Sequence, residues 1–158
     1  MFERFTREAR QVVTRGVEEA RERSDGRVGT DHLLVGAADT GAGKQIGLSA
    51  GAVWGELDRI DREALAAVGI DPSLIAAAPA VRPREHRHLP FTGASKDVLK
   101  QSLREAISMN HRHIGAEHIL LALTTLPESD RATRVLRGLG IDPAVLRQTL
   151  LETLHRAS

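Results

Sequence analysis

Apolar side chains recur at three- and four-residue steps between residues 5 and 20, where Phe5, Ala9, Val12, Val13, Gly16, Val17 and Ala20 fall on one face of a helix. The same spacing returns at Val98, Leu99, Leu103, Ala106 and Ile107. Thr6 and Thr92 stand ahead of these runs as N-caps, each offering a hydroxyl to a free amide of the first turn. Gly29-Thr30 and Gly115-Ala116 then interrupt the chain before two short apolar segments, 31–38 and 117–126, which the pattern predicts as helices. Gly-Ile-Asp-Pro, at 69–72 and again at 140–143, supplies a helix C-cap followed by an Asp N-cap with Pro at the first helical position. It opens helices predicted over 72–78 and 143–155. No segment alternates with the period of a strand, so the fold class is all-α, about eight helices in two similar halves.

That similarity is an internal repeat. Shifted by 86 positions, residues 5–34 lie over 91–120 with Phe5/Phe91, Thr6/Thr92, Val12/Val98, Glu19/Glu105, Ala20/Ala106, Gly29/Gly115, His32/His118 and Leu34/Leu120 identical. The two Gly-Ile-Asp-Pro elements align only at a smaller offset, which gives the first copy 15 extra residues. One domain is therefore expected over 1–158, with a first repeat over 1–78 carrying an insertion near 37–64. A linker over 79–90 follows, marked by Pro79, Pro83 and Pro90, and a second repeat spans 91–158. The insertion is rich in Gly and Ala and holds the lone Trp54. It reads as a flexible surface loop, or alternatively as a lid or added contact surface, since an exposed Trp is costly without a partner.

Composition removes several classes of function. The 22 Lys and Arg balance 21 Asp and Glu, a formal net charge of +1, whereas a dedicated nucleic-acid binder concentrates a basic excess. The absence of cysteine excludes disulfide frameworks, thiolate zinc sites, iron–sulfur clusters and cysteine nucleophiles. The N-terminal residues are too charged for a signal peptide, and no run approaches the roughly 20 apolar residues of a membrane span. A soluble cytoplasmic protein is expected, with neither a nucleic acid nor a membrane as partner.

Candidate chemistry is thin. Gly41-Ala42-Gly43-Lys44-Gln45 resembles a phosphate loop, but Ala38 stands where the first Gly is required and Gln45 where the magnesium-holding hydroxyl belongs. The His-x-His pairs 86/88 and 111/113 have no carboxylates at ligand spacing and read as surface histidines, so no metal is expected. His32 and His118 differ from these, because they occupy the same place in both copies on apolar helices. They read as buried imidazoles bonded to backbone at the helix start. No nucleophile motif or triad occurs, and neither an enzyme nor a cofactor is expected.

The residues 1–6 (Met-Phe-Glu-Arg-Phe-Thr), Gly29-Thr30-Asp31-His32-Leu33-Leu34, Pro90-Phe91-Thr92, Ser102-Leu103-Arg104-Glu105-Ala106 and Gly115-Ala116-Glu117-His118-Ile119-Leu120 together resemble the N-terminal domain of Clp-type AAA+ unfoldases, in particular the ClpC branch. The resemblance covers nearly the whole chain outside the insertion and the linker. It implies an eight-helix pseudo-two-fold bundle that receives substrates and adaptors for a Clp protease. Because the sequence ends at Ser158 without an ATPase module, it is similar to stand-alone actinobacterial Clp N-domain proteins, which lack ATPase activity. The alternatives are a regulatory partner docking onto a Clp unfoldase, or an N-terminal fragment of such an unfoldase.

Two sites follow from the resemblance. One, present in each repeat, recognises phosphorylated arginine: a carboxylate pairs the guanidinium while a helix N-terminus and nearby hydroxyls or cations hold the phosphate. The matching residues are Thr30, Asp31 and Glu117, with Ala116 in place of the second threonine and Asp31 one methylene shorter than the usual Glu. The other is an apolar patch that takes cyclic peptide antibiotics, matched by Phe2, Arg10, Val13, Phe91 and Lys96, with Lys100 where relatives usually carry an acid. The implied partners are Clp components, their substrates or adaptors, arginine-phosphorylated proteins and cyclic peptides.

Overall fold

A computed structural model describes residues 2–76 and 88–158, so of the expected linker only residues 88–90 are seen. A short 3-10 turn at Phe2–Arg4 leads into α1 (Arg7–Glu22), α2 (Thr30–Ala38), α3 (Gly41–Gln45), α4 (Ala50–Ala67) and α5 (Pro72–Ala76). The second half holds α6 (Gly93–Ser108), α7 (Ala116–Leu123), α8 (Arg131–Gly138) and α9 (Pro143–Ala157). The class is all-α as expected, with nine α-helices rather than eight and no strand among the described residues.

The predicted caps form. The Thr6 hydroxyl accepts from the Ala9 amide at 3.1 Å, Thr92 from Ser95 at 3.1 Å and Asp142 from Ala144 at 2.8 Å. Each half is built on a helix pair, α1 against α2 and α6 against α7, and the two central helices α2 and α7 also pack on each other. Every residue of α2 is buried, and in α7 all but Glu117. Beyond their polar first turns, Thr30-Asp31-His32 and Glu117-His118, these helices are surrounded on all sides, which is why the rest of each is apolar and lacks a polar face.

The halves are tied by exchange of backbone. The Thr6 amide donates to the Ile114 carbonyl at 2.9 Å and the Ile114 amide to Arg4 at 2.8 Å; reciprocally, Val28 donates to Pro90 and Thr92 to Val28, each at 2.9 Å. The start of each half is thereby pinned to the loop of the other. Phe5 and Phe91 mark these two crossings, and Phe5 is buried where Phe91 is half-buried.

The stretch 37–64 is not a flexible loop. It contains α3 and most of α4, and Val53, Leu57 and Ile60 bury one face of α4 in the core. Helix geometry supplies the reason: Ser49 caps α4 through the Ala52 amide at 3.1 Å, and apolar residues follow at three- and four-residue steps. The packing also shows which pieces are equivalent. α3 lies on α7 as α8 lies on α2, and α4 lies on α2 as α9 lies on α7. Both α4 and α9 follow a left-handed glycine, Gly47 at φ 81° and Gly140 at φ 77°, and an N-cap, Ser49 or Asp142. One turn into each, Trp54 and Arg147 serve the same purpose. The Trp54 indole donates to Glu19 at 2.9 Å, and the Arg147 guanidinium donates to Glu105 at 2.9 and 3.0 Å. Glu19 and Glu105 are the matched buried acids of α1 and α6.

Candidate functional site

The two central helices begin alike. Gly29 and Gly115 are their N-caps, and the histidine three residues on returns to that cap: the Gly29 amide donates to His32 Nδ1 at 2.9 Å and the Gly115 amide to His118 Nδ1 at 2.8 Å. An imidazole here takes the place that Glu or Gln fills in the usual capping box. Because Nδ1 accepts, Nε2 carries the proton, and it donates to Asp25 at 2.7 Å in the first half and to His111 Nδ1 at 2.9 Å in the second. The reading of His32 and His118 from their repeat position therefore holds. His111 is half-buried and part of this network, not a plain surface histidine.

Burial first, and then His111, lower the His118 pKa to about 4, against a partial upward pull from Glu105. The folded chain thus binds fewer protons than the unfolded chain between pH 6.5 and about pH 4. Stability held by neutral His118 is complete above that window and is lost as the pH falls through it, by about 3 kcal/mol in all. In His118→Gln an acceptor remains for the Gly115 amide and the titration is gone. Urea midpoints of this variant should fall less steeply with acid than those of the parent, and equal slopes would contradict the assignment.

Between each glycine and histidine sits the expected acid. Asp31 and Glu117 fold back over their N-cap glycines so closely that a Cβ at Gly29 would lie 2.6 Å from Asp31 Oδ1, and one at Gly115 2.5 Å from Glu117 Oε2. Glycine at both positions leaves the carboxylates room at the positive end of the helix.

From here the halves diverge. In the first, a cleft of about 730 Å³ opens between the starts of α2 and α8 and the flank of α4, bordered by Arg23, Asp25, Thr30, Asp31, Trp54 and Arg131. The Thr30 hydroxyl donates to Asp130 at 2.6 Å. Arg131 donates through Nε to Asp31 at 3.1 Å and through Nη1 to Asp61 at 2.8 Å. The hydrogen bond to Asp61 leads the effects that hold the Arg131 pKa above its ordinary value, although burial opposes them. The Arg23 guanidinium lies 3.3 Å from the centre of the Trp54 ring. In the second half Glu117 is half-buried, and no hydrogen bond or ion pair forms on it among the described residues.

The apolar patch is only partly assembled. Phe2, Phe91, Lys96 and Lys100 line one cleft of about 410 Å³ together with His88, Pro90 and Leu99. Phe2 is 50% exposed and meets Phe5 edge-on at 5.1 Å. Arg10 and Val13 do not line this cleft: Arg10 is exposed on α1 and Val13 packs against the core. The sequence reading missed Arg131, Asp61 and Trp54 as neighbours of Asp31. They come from α8 and α4, and no local motif signals such contacts.

Fold and site together define a duplicated all-α domain with an acid at the buried start of each central helix. The chain belongs to the Clp repeat (R) N-terminal domain family, whose model matches residues 56–137 and 90–158. It is 34% identical over 157 residues to the chloroplastic chaperone protein ClpC1 of Arabidopsis thaliana, covering 96% of this chain and 15% of that protein. It is 33% identical over 164 residues to the chloroplastic ClpA homolog CD4B of Solanum lycopersicum, an ATP-dependent Clp protease ATP-binding subunit, covering 100% of this chain and 16% of that one. The chain thus spans about a sixth of the length of these curated relatives. Among solved structures it matches the N-terminal domain of the chaperone ClpD from Arabidopsis thaliana, with a TM-score of 0.67, 25% identity and coverage of 98% of this chain and 97% of that one. The Hsp104 N-terminal domain of Candida albicans shares the fold, with a TM-score of 0.62 at 17% identity over 94% of this chain and 90% of that one. Among the described residues no helix is long and apolar enough to cross a membrane.

Proposed function

We propose that this chain is a non-catalytic binding module of the Clp system that takes arginine-phosphorylated segments of substrates or adaptors at the start of α7. The observation that carries the reading is Glu117, the one residue of a wholly packed helix that is not buried, with no hydrogen bond or ion pair among the described residues. An unpaired carboxylate beside free helix amides suits a ligand that carries a guanidinium and a phosphate on adjacent atoms. A cytoplasmic setting, shared with an unfoldase whose ligands it delivers or withholds, belongs to the same proposal.

Calorimetric titration with an arginine-phosphorylated peptide, with the phosphoserine peptide as control, tests it. Saturable binding of the first peptide alone is expected, weakened about tenfold or more in Glu117→Ala, as befits loss of one charged hydrogen-bonding partner. Equal binding of both peptides, or no effect of the substitution, contradicts it.

A second reading is supported by the cleft at Phe2 and Phe91. An exposed aromatic over a mostly apolar hollow flanked by Lys96 and Lys100 suits a cyclic peptide with aromatic or aliphatic side chains. Phe2→Ala tests this site without touching Glu117, and it should weaken cyclic-peptide binding while leaving the phosphopeptide isotherm unchanged.

A further inference from the structure

The first-half cleft already contains the group it is shaped to receive. Arg131 places its Nε on the nearly buried carboxylate of Asp31 and its Nη1 on Asp61, at 3.1 and 2.8 Å. Asp31 is the positional match of Glu117, so a guanidinium of the chain itself sits on the carboxylate that is left unpaired in the second half. The repeat explains the asymmetry. Arg131 is the residue after the N-cap of α8, Asp130, and the residue after the N-cap of α3, Thr40, is Gly41. α8 packs on α2 as α3 packs on α7, and a glycine has no side chain to lay across the opposite acid. Asp61 completes the seat from α4, whose helix reaches this far along the cleft.

We infer that Arg131 is a built-in occupant of the first-half cleft, which closes that half to arginine-bearing ligands and leaves binding to Glu117. The inference rests on the proposed recognition of guanidinium groups by the helix-start acids. It adds that the two halves differ in availability and not in kind. Removing Arg131 exposes Asp31 and Asp61 as a second guanidinium seat, next to the Trp54 ring that Arg23 covers.

The lone Trp54 borders this cleft, so its fluorescence reports there. The parent chain, Arg131→Ala and Asp61→Asn are titrated with the arginine-phosphorylated peptide by fluorescence and by calorimetry in parallel. The parent should show no saturable Trp54 response. Arg131→Ala should acquire a saturable one, and it should persist when Glu117→Ala is added. Asp61→Asn loosens the hold on Arg131 from a half-buried position but takes one carboxylate from the seat, so it should shift binding the same way by less. Circular dichroism of each variant checks that the helices are retained. A parent chain that already gives the Trp54 response with equal affinity, or a folded Arg131→Ala that gains none, overturns the inference. The calorimetric site at Glu117 is read separately. Its loss alone therefore counts against the proposed function, while a gained Trp54 site still supports occupancy by Arg131.

Discussion

Gly36→Ala should destabilise the domain by about 3 kcal/mol or more, the upper end of what overpacking a rigid core costs. An alanine Cβ at this position would lie 2.2 Å from the carbonyl oxygen of Val12 and 3.0 Å from its carbonyl carbon. The obstacle is backbone of α1, so no side chain can swing aside and the two helices must separate. Helix propensity alone predicts the opposite sign, since Ala is better than Gly by about 1 kcal/mol in a helix interior. The second half supplies the control. Its equivalent of Gly36 is Ala122, fully buried on α7, which shows that the α6–α7 crossing leaves room for a methyl group. A drop in the urea midpoint with an unchanged slope supports the close approach of α1 and α2; a gain in stability contradicts it.

The second large effect concerns Glu105. Its carboxylate is 4% exposed, and it receives both Nη atoms of Arg147 and the Gln101 amide. Burial pushes its pKa up, but the Arg147 and Gln101 hydrogen bonds outweigh burial and hold it below the ordinary carboxylate value. Removing one partner of such a pair strands the other charge, so Arg147→Ala should cost about 3 kcal/mol near neutral pH, the low end of the range because Arg147 itself is partly exposed. The sign with pH is diagnostic. In the parent, stability from this carboxylate is present above its unfolded pKa and is lost as the pH falls through the depressed folded value. In Arg147→Ala burial acts unopposed by the guanidinium. The carboxyl then takes up a proton more readily when folded, and the deficit against the parent shrinks on acidification. Replacing both residues by apolar ones of similar volume should restore much of the loss, and a deficit independent of pH would contradict the account.

What could be read from the chain alone was whatever is set by neighbours in sequence. Thr6, Thr92 and Asp142 cap their helices because a hydroxyl or carboxylate two or three residues ahead of a free amide needs no tertiary help. The histidines of the repeat were legible for the same reason, since His32 and His118 bond to glycines three residues away. The segment 37–64 reads as an insertion because the Gly-Ile-Asp-Pro turns at 69–72 and 140–143 match each other in sequence. The turn at Gly47-Leu48-Ser49, which packs like Gly140-Ile141-Asp142, has a less similar sequence. Burial separates them: Leu48 is in the core, whereas Ile70 is exposed. Neither the Trp54–Glu19 contact nor the seat of Arg131 on Asp31 has a local signature, because each joins helices far apart in the chain. The apolar patch was half legible for a similar reason. Phe2, Phe91, Lys96 and Lys100 meet at the backbone crossing of the halves, while Val13 turns its side chain into the core.

The most direct test of the central claim is a proton–nitrogen NMR titration of the parent chain with the arginine-phosphorylated peptide. The amides of Gly115, Ala116, Glu117 and His118 should shift together and saturate, while Gly29, Thr30, Asp31 and the Trp54 indole stay in place. Shifts confined to the cleft of Phe2 and Phe91, or no saturable shift at the start of α7, would contradict it.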